Sequence, residues 1–268
     1  MTCLRHLFLL GRPLGPLYNL AMRLRAALYS ADVLTRHRLP VPVLSVGNLV
    51  LGGSGKTPMV RHLTELLLAM GLRPAIVSRG YGGTIKEQAA VVSDGRTLLL
   101  SPQQGGDEPA MLSQTLPGVP VVIGRRRVHP CRLAIDRLHA TVLILDDGFQ
   151  HLAVRRDLDL VLFDASTLAG DGRVFPGGIL REPFSALCRA DAVVLTGVTT
   201  RNRDGAEDFA ALVRQRHPAL PVFFVSLAAP SLRLSNDAAH QAGPCFAFCG
   251  IANPDRFSDT IRSMGLIP

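Results

Sequence analysis

The chain has 268 residues, 47% of them hydrophobic, enough to bury a substantial core in one large or two small domains. Aromatic residues make up only 5% and tryptophan is absent; this excludes the stacking platforms of single-stranded nucleic-acid binders, and no nucleic-acid partner is expected. The net charge of +8 comes almost wholly from arginine, since Lys56 and Lys86 are the only lysines, and no uncharged apolar run of about 18 residues exists to span a membrane.

In chain order, the first segment is basic. Residues 1–40 hold six arginines against the single acid Asp32, a block that points to an anionic surface. The apolar stretch Leu7–Leu10 is short and no small-residue cleavage site follows it, so it does not read as a signal peptide. Leu17, Leu20, Ala21, Leu24, Leu28 and Ala31 recur at helical spacing and predict a basic amphipathic helix over 17–31. Arg23 and Arg25 lie off the middle of that stripe. Such a helix either packs on its own domain or lies on an anionic membrane face, where each arginine contributes roughly 1 kcal/mol.

Strands and helices then alternate. Val41–Val46, Pro74–Ser78, Val119–Gly124, Thr141–Leu145 and Leu158–Phe163 read as strands, and Pro58–Met70 and Arg125–His139 as helices. Nearly continuous apolar strands between helices predict an α/β core over 41–185, with a mostly parallel sheet covered by helices on both faces. After Asp164 the stretch STLAGDGRVFPGGILREPFSAL reads as a long loop, and long loops beside such a sheet are often functional. Ala192–Leu195, Val222–Ser226 and Cys245–Cys249 as strands, with helices at 206–215 and 254–264, predict a second, smaller α/β domain over 186–268. The five cysteines are irregularly spaced and form no CxxC pair, which reads as reduced thiols.

The stretch VLSVGNLVLGGSGKTP carries the first chemistry. An apolar strand, then Gly52, Gly53, Ser54, Gly55, Lys56 and Thr57, then a helix, is the context of a phosphate-binding P-loop. Glycines let backbone N–H groups wrap phosphates, the helix N-terminus adds partial positive charge, Lys56 reaches the β/γ-phosphates of ATP, and Thr57 ligates Mg²⁺. Val50 stands where the usual motif has its first glycine. Asp146 and Asp147 in LDDGFQH end an apolar strand, where a P-loop protein places its metal-binding carboxylate. No asparagine precedes either lysine, which argues against a GTPase. SRGYGG, GDEP and LREP supply further polar loops: Asp107 and Glu108 are candidate base and metal ligand, and Arg79, Arg127, Arg173 and Arg181 candidate phosphate clamps.

Together these stretches resemble the tetraacyldisaccharide 4′-kinase family, over nearly the whole chain: VGNLVLGGSGKTP, VSRGYGG, GDEP, the arginine-rich GRRRV, LDDGFQH, RDLDLVLFDA, FPGGILREP and FCGIANPDRF. Val50 is then unexceptional, because this family's loop also lacks that glycine. The resemblance implies ATP- and Mg²⁺-dependent phosphorylation of the 4′-hydroxyl of an acylated glucosamine disaccharide phosphate, at the cytoplasmic face of the bacterial inner membrane. It implies Asp107 as base and Thr57, Glu108, Asp147 and Gln150 as metal ligands, with His151, Arg127 and Arg181 lining the site. Nothing calls for an obligate protein partner. The family continues past the FxGIxNPxRF motif with a segment whose histidine is implied to pair with the GDEP aspartate, and this sequence ends at Pro268. Two alternatives follow: a nucleotide- and lipid-binding remnant of the family, or a P-loop ATPase acting on a protein partner.

Overall fold

The computed structural model describes residues 8–226, 246–249 and 254–263. Two compact units divide at Val225/Ser226. The first begins, after a short 3₁₀ turn, with helix α1 (Gly15–Ser30) and then builds eight strands: β1 (Val43–Asn48), β2 (Pro74–Ser78), β3 (Ala90–Ser93), β4 (Val121–Ile123), β5 (Val142–Asp146), β6 (Leu158–Asp164), β7 (Ala192–Thr196) and β8 (Val222–Val225). Between them lie α2 (Lys56–Ala69), α3 (Asp107–Thr115), α4 (Val128–Asp136) and α5 (Arg203–Arg216). The second unit contains α6 (Pro254–Ser263).

All eight strands form one sheet, in the order β3-β4-β2-β5-β1-β6-β7-β8. Every pairing is parallel except β3–β4, which is antiparallel with a register shift between Val91 and Ser93. The apolar runs are continuous because both faces are buried. Along β5, Val142 and Ile144 join one core, with Val60 and Leu67 of α2 and Leu112 of α3. Leu143 and Leu145 join the opposite core, with Val128, Cys131 and Ala134 of α4. A third cluster packs Val161, Phe163, Val193 and Leu195 against Phe209 and Val213 of α5, with Phe163 and Phe209 edge to face at 5.0 Å.

The strand expected at 74–78 is present with those bounds, and those expected at 41–46, 119–124, 141–145 and 158–163 are present with shifted ends. The domain boundary expected at 186 does not fall there. After its long loop the chain returns to the same sheet: β7 pairs with β6, and β8 with β7. Of the strand expected at Cys245–Cys249, residues 246–249 carry no regular structure and Cys245 lies outside the described residues. Phe246 and Phe248 are 94% and 85% exposed, so the apolar run is not buried as a strand.

The acids of RDLDL are structural. Asp157 accepts from the N–H of Val43 at 2.9 Å, and Asp159 pairs with Arg156 at 2.8 Å in a nearly fully buried bridge. The functional ends lie elsewhere. In a parallel sheet the loops beyond the strand C-termini converge where strand order reverses. Here β1 is central, with β5 and β2 to one side and β6 and β7 to the other. The loops after β1, β2 and β5 therefore meet, and they are GGSGKT, RGYGG and DGFQH.

Candidate active site

The phosphate loop runs from Leu49 to Gly55. Gly55 caps α2 with φ +74°, a left-handed conformation costly for other residues, and a Cβ there would lie 3.2 Å from the Thr196 hydroxyl. That hydroxyl donates to the carbonyl of Ser54 at 3.0 Å, so the end of β7 braces the loop. The start of the loop is tied as a short antiparallel bridge, Val50 opposite Leu180. Leu51 donates to the carbonyl of Ile179 at 2.8 Å and Arg181 to that of Leu49 at 2.6 Å. Position 50 thus serves as strand, which suits valine better than glycine.

Lys56 and Thr57 open α2, and each faces an acid. Lys56 Nζ stands 3.6 Å from Asp147 Oδ1, and the Thr57 hydroxyl donates to Glu108. Asp107 and Glu108 form the first turn of α3, a helix not expected from the sequence. SRGYGG approaches the turn before α3 so closely that a Cβ on Gly83 would lie 2.3 Å from the carbonyl of Gln104. Asp107 is exposed and makes no hydrogen bond or ion pair among the described residues.

Asp147 sits on the turn after β5 with φ +53°. Arg181 Nη1 donates to both its oxygens, at 2.9 and 3.1 Å. Burial pushes this carboxyl up, but Lys56 and Arg181 outweigh it and hold the group below the ordinary aspartate value. Its neighbour Asp146 is 1% exposed; one oxygen accepts from Ser78 at 3.1 Å and the other has no partner. Burial, then the charges of Glu108 and Asp147, push Asp146 up to about 7. Three carboxylates thus act on one another here, a repulsion that a divalent cation would relieve.

Gln150 donates its side-chain N–H to the carbonyl of Asn48 at 2.9 Å, which leaves its buried Oε1 without a partner. The Ser54 hydroxyl is buried and likewise unpartnered. Arg127 is 2% exposed and donates to the carbonyls of Gly124 at 2.9 Å and Asp146 at 3.3 Å. It braces the acidic turn; burial pulls its guanidinium down to about 10. Burial and the Arg127 charge pull His151 down to about 3, so its imidazole is neutral at physiological pH.

Arg173 is not brought to this cluster as a clamp. It pairs with Asp171 on the long loop at 3.3 Å and lines a cavity with Arg12. Arg25, which lies off the middle of the apolar stripe of α1, donates to the carbonyl of Gln150 at 2.9 Å. Sequence reasoning also missed Tyr18, whose hydroxyl donates to the carbonyl of Arg181 at 2.9 Å. Both side chains reach across more than a hundred residues of chain, and no local pattern encodes such contacts. Asn48 stands in the quoted VGN stretch, and that stretch was its signal. Among the described residues no three His, Cys, Asp or Glu side chains form a self-sufficient metal site.

A strand–loop–helix with paired lysine and threonine, facing carboxylates from a second helix N-terminus and from the turn after β5, is the apparatus of a phosphoryl-transfer protein. The family model for tetraacyldisaccharide-1-P 4′-kinase (LpxK) matches residues 7–268. The chain belongs to this family. The tetraacyldisaccharide 4′-kinase of Desulfotalea psychrophila is 47% identical over 97% of this chain and 75% of its own length. That of Geobacter sulfurreducens is 42% identical over 93% of this chain and 70% of its own length. Among solved structures, LpxK from Aquifex aeolicus in complex with ATP superposes with a TM-score of 0.64 at 30% identity, covering 85% of this chain and 84% of that one. The P-loop α/β architecture and the family read from the sequence are thus both borne out.

Proposed function

We propose that this chain transfers the γ-phosphate of ATP to the 4′-hydroxyl of a tetraacyldisaccharide 1-phosphate, the reaction that gives the family its name. The single observation that carries this reading is the convergence of the P-loop pair Lys56/Thr57 with Glu108 and Asp147 at the sheet's switch point.

The oxygens of these loops are of the kind that would hold a Mg²⁺ ion. Thr57, Glu108, Asp147 and the unpartnered Oε1 of Gln150 are hard donors of the right kind. When bound, the ion would neutralise charge on the transferred phosphoryl group. The rest falls to the chain itself. Gly52–Thr57 cradles the phosphates with backbone N–H groups, and Lys56 and Arg181 leave Asp147 to meet them. Asp107 is the base: exposed and unpaired, it is free to take the proton from the acceptor hydroxyl. Arg127 and the neutral His151 orient the acceptor beside the acidic turn.

The acceptor is a lipid, and α1 supports access to it from a membrane surface. Leu14, Leu17, Leu20 and Leu24 are 58–67% exposed along one side, while Tyr18 and Arg25 on the other side hold the core. The apolar stripe of this helix therefore faces outward, with the exposed Arg12 and Arg23 beside it. No helix among the described residues is long and apolar enough to cross a membrane. This arrangement supports a peripheral position on the anionic cytoplasmic leaflet.

The decisive experiment is transfer of labelled γ-phosphate from ATP to tetraacyldisaccharide 1-phosphate in detergent micelles by the 268-residue chain. Robust transfer is expected. ATP binding without transfer would overturn the kinase reading in favour of a binding remnant, and lipid-independent ATP hydrolysis would favour the ATPase. Asp107→Asn should retain nucleotide binding and lose about 10²–10⁴-fold in rate; unchanged turnover would remove Asp107 from the role of base.

A further inference from the structure

Between α1 and the long loop that joins β6 to β7 lies a cavity of about 420 Å³, within the usual size of a small-ligand site, roughly 300–1,000 Å³. Arg12, just before α1, and Arg173, on the loop, supply its charge. Pro16, Val174 and Phe184 supply apolar wall, and Asn19 lines it from the helix. Among the described residues no carboxylate does. Close backbone approach fixes these walls. A Cβ on Gly11 would lie 2.3 Å from the carbonyl oxygen of Pro176, and one on Gly177 would lie 3.1 Å from the Cα of Arg12. Glycine at both positions lets helical segment and loop meet main chain to main chain. Tyr18 and Phe175 add an edge-to-face contact, with ring centroids 5.7 Å apart.

The polar groups of this cavity are incompletely matched. The Arg12 guanidinium is exposed and has no ion-pair or hydrogen-bond partner among the described residues. Arg173 has Asp171 at 3.3 Å, but both side chains are about half exposed, so water screens the pair. Asn19 Oδ1 is buried and accepts no hydrogen bond. A complementary ligand brings an anion for the guanidinium forks and a hydrogen-bond donor for the amide oxygen. A phosphodiester bearing a neutral hydroxylated group has both. An ammonium group could also donate, but two guanidinium groups beside it would repel it.

The position of the cavity on the helix points to a source for that ligand. With about 3.6 residues per turn, Pro16 and Asn19 fall on the flank of α1 between Tyr18, which is tied to the core, and the exposed Leu17, Leu20 and Leu24. A lipid whose chains cover those leucines has its headgroup at this flank. We propose that the cavity binds the headgroup of a membrane phosphatidylglycerol, a lipid other than the acceptor, with its phosphate on Arg12 and Arg173 and a glycerol hydroxyl donating to Asn19 Oδ1. A lipid held there would tie the start of α1 and the loop that carries Arg181 to the same leaflet. This rests on the membrane position proposed above for the source of the lipid; the unmatched groups of the cavity do not.

The test compares binding of the 268-residue chain to phosphatidylcholine vesicles doped equally with phosphatidylglycerol or with phosphatidylmethanol. Both dopants carry the same phosphodiester charge and only the first carries hydroxyls, so a purely electrostatic surface treats them alike. The wild-type chain should bind the phosphatidylglycerol vesicles about three- to tenfold more tightly, the worth of one hydrogen bond. Asn19→Leu should erase that preference and leave binding to phosphatidylmethanol as before. Arg12→Gln with Arg173→Gln should weaken both by about tenfold or more and also erase the preference; these two side chains are exposed, so folding is not at stake. Arg23→Gln, outside the cavity, should weaken both alike and keep the preference. Equal wild-type affinity for the two vesicles, or a preference that survives in either cavity variant, would overturn the proposal. Monomeric dihexanoylphosphatidylglycerol and inorganic phosphate, each tested without vesicles, separate the sources: tighter binding of inorganic phosphate would assign the cavity to a free anion. Preference for the short-chain lipid with no vesicle binding would keep the headgroup site and discard the membrane position. Vesicle binding without preference would do the reverse.

Discussion

Two groups of cations meet the DGFQH turn, and they are built in opposite ways. Lys56 and Arg181 are matched: both face Asp147, and the neighbouring Thr57 faces Glu108. Arg125, Arg126 and Arg132 have no ion-pair partner among the described residues. A matched cation exchanges partners when a ligand arrives, so it can follow charge that moves during a reaction. An unmatched one waits for a ligand that brings its own charge and keeps it. The first arrangement suits phosphoryl transfer, the second suits holding.

The largest effect should come from the matched group. Lys56→Ala is expected to lower transfer by about 10²–10³-fold or more, measured as single-turnover rate at saturating ATP. Arg181→Ala should cost about ten- to a hundredfold in kcat/KM for ATP, with partial rescue in Arg181→Lys, which keeps the charge and loses the fork. If the contrast between groups holds, neutralising Arg132 leaves both ATP parameters untouched in the same measurements.

On the lipid side, Leu17→Glu with Leu20→Glu should move the chain from the membrane to the soluble fraction without altering nucleotide affinity; unchanged fractionation would mean that the exposed leucines do not meet lipid. Arg25 is the wrong residue for this purpose, since its bond to the Gln150 carbonyl would confound the result.

The smallest effect is in pH dependence, and here two buried groups oppose each other. Asp146 is protonated up to about 7 in the folded chain but ionises near 4 unfolded, so its contribution to stability falls as pH rises from about 4 to 7. His151 resists protonation down to about 3 when folded and accepts a proton near 6.5 unfolded, so its contribution rises with pH from about 3 to 6.5. In metal-free buffer, Asp146→Asn should steepen the rise of melting temperature between pH 4 and 6.5, and His151→Gln should flatten or invert it.

Much of this was legible in the sequence, and for definite reasons. Continuous apolar runs such as Val142–Asp146 can be little else than strands buried on both faces, and glycines before Lys56 have few uses other than phosphate. What escaped was set by non-local packing. β3 is four residues long and pairs antiparallel at the sheet edge, so it carries no parallel-strand signature. α3 is preceded by Gly106 with φ +95° and carries Pro109 in its first turn, which reads as loop. The Gly- and Pro-rich stretch after Asp164 reads as a long loop ahead of a second domain, yet its two ends lie on adjacent strands of one sheet. Its glycines and prolines serve instead to wrap the loop back onto Val50 and bring Arg181 to Asp147.

Arg181 itself is held at three points: its N–H by Leu49, its carbonyl by Tyr18 and its guanidinium by Asp147. One residue is therefore a joint shared by the phosphate loop, the N-terminal helix and the acidic turn. Substitutions at these positions should not add: Tyr18→Phe combined with Asp147→Asn should cost measurably more or less than the two separately. Inheritance feels the same constraint. A change that retunes the helix at Tyr18 is expected to retune the loop through Arg181.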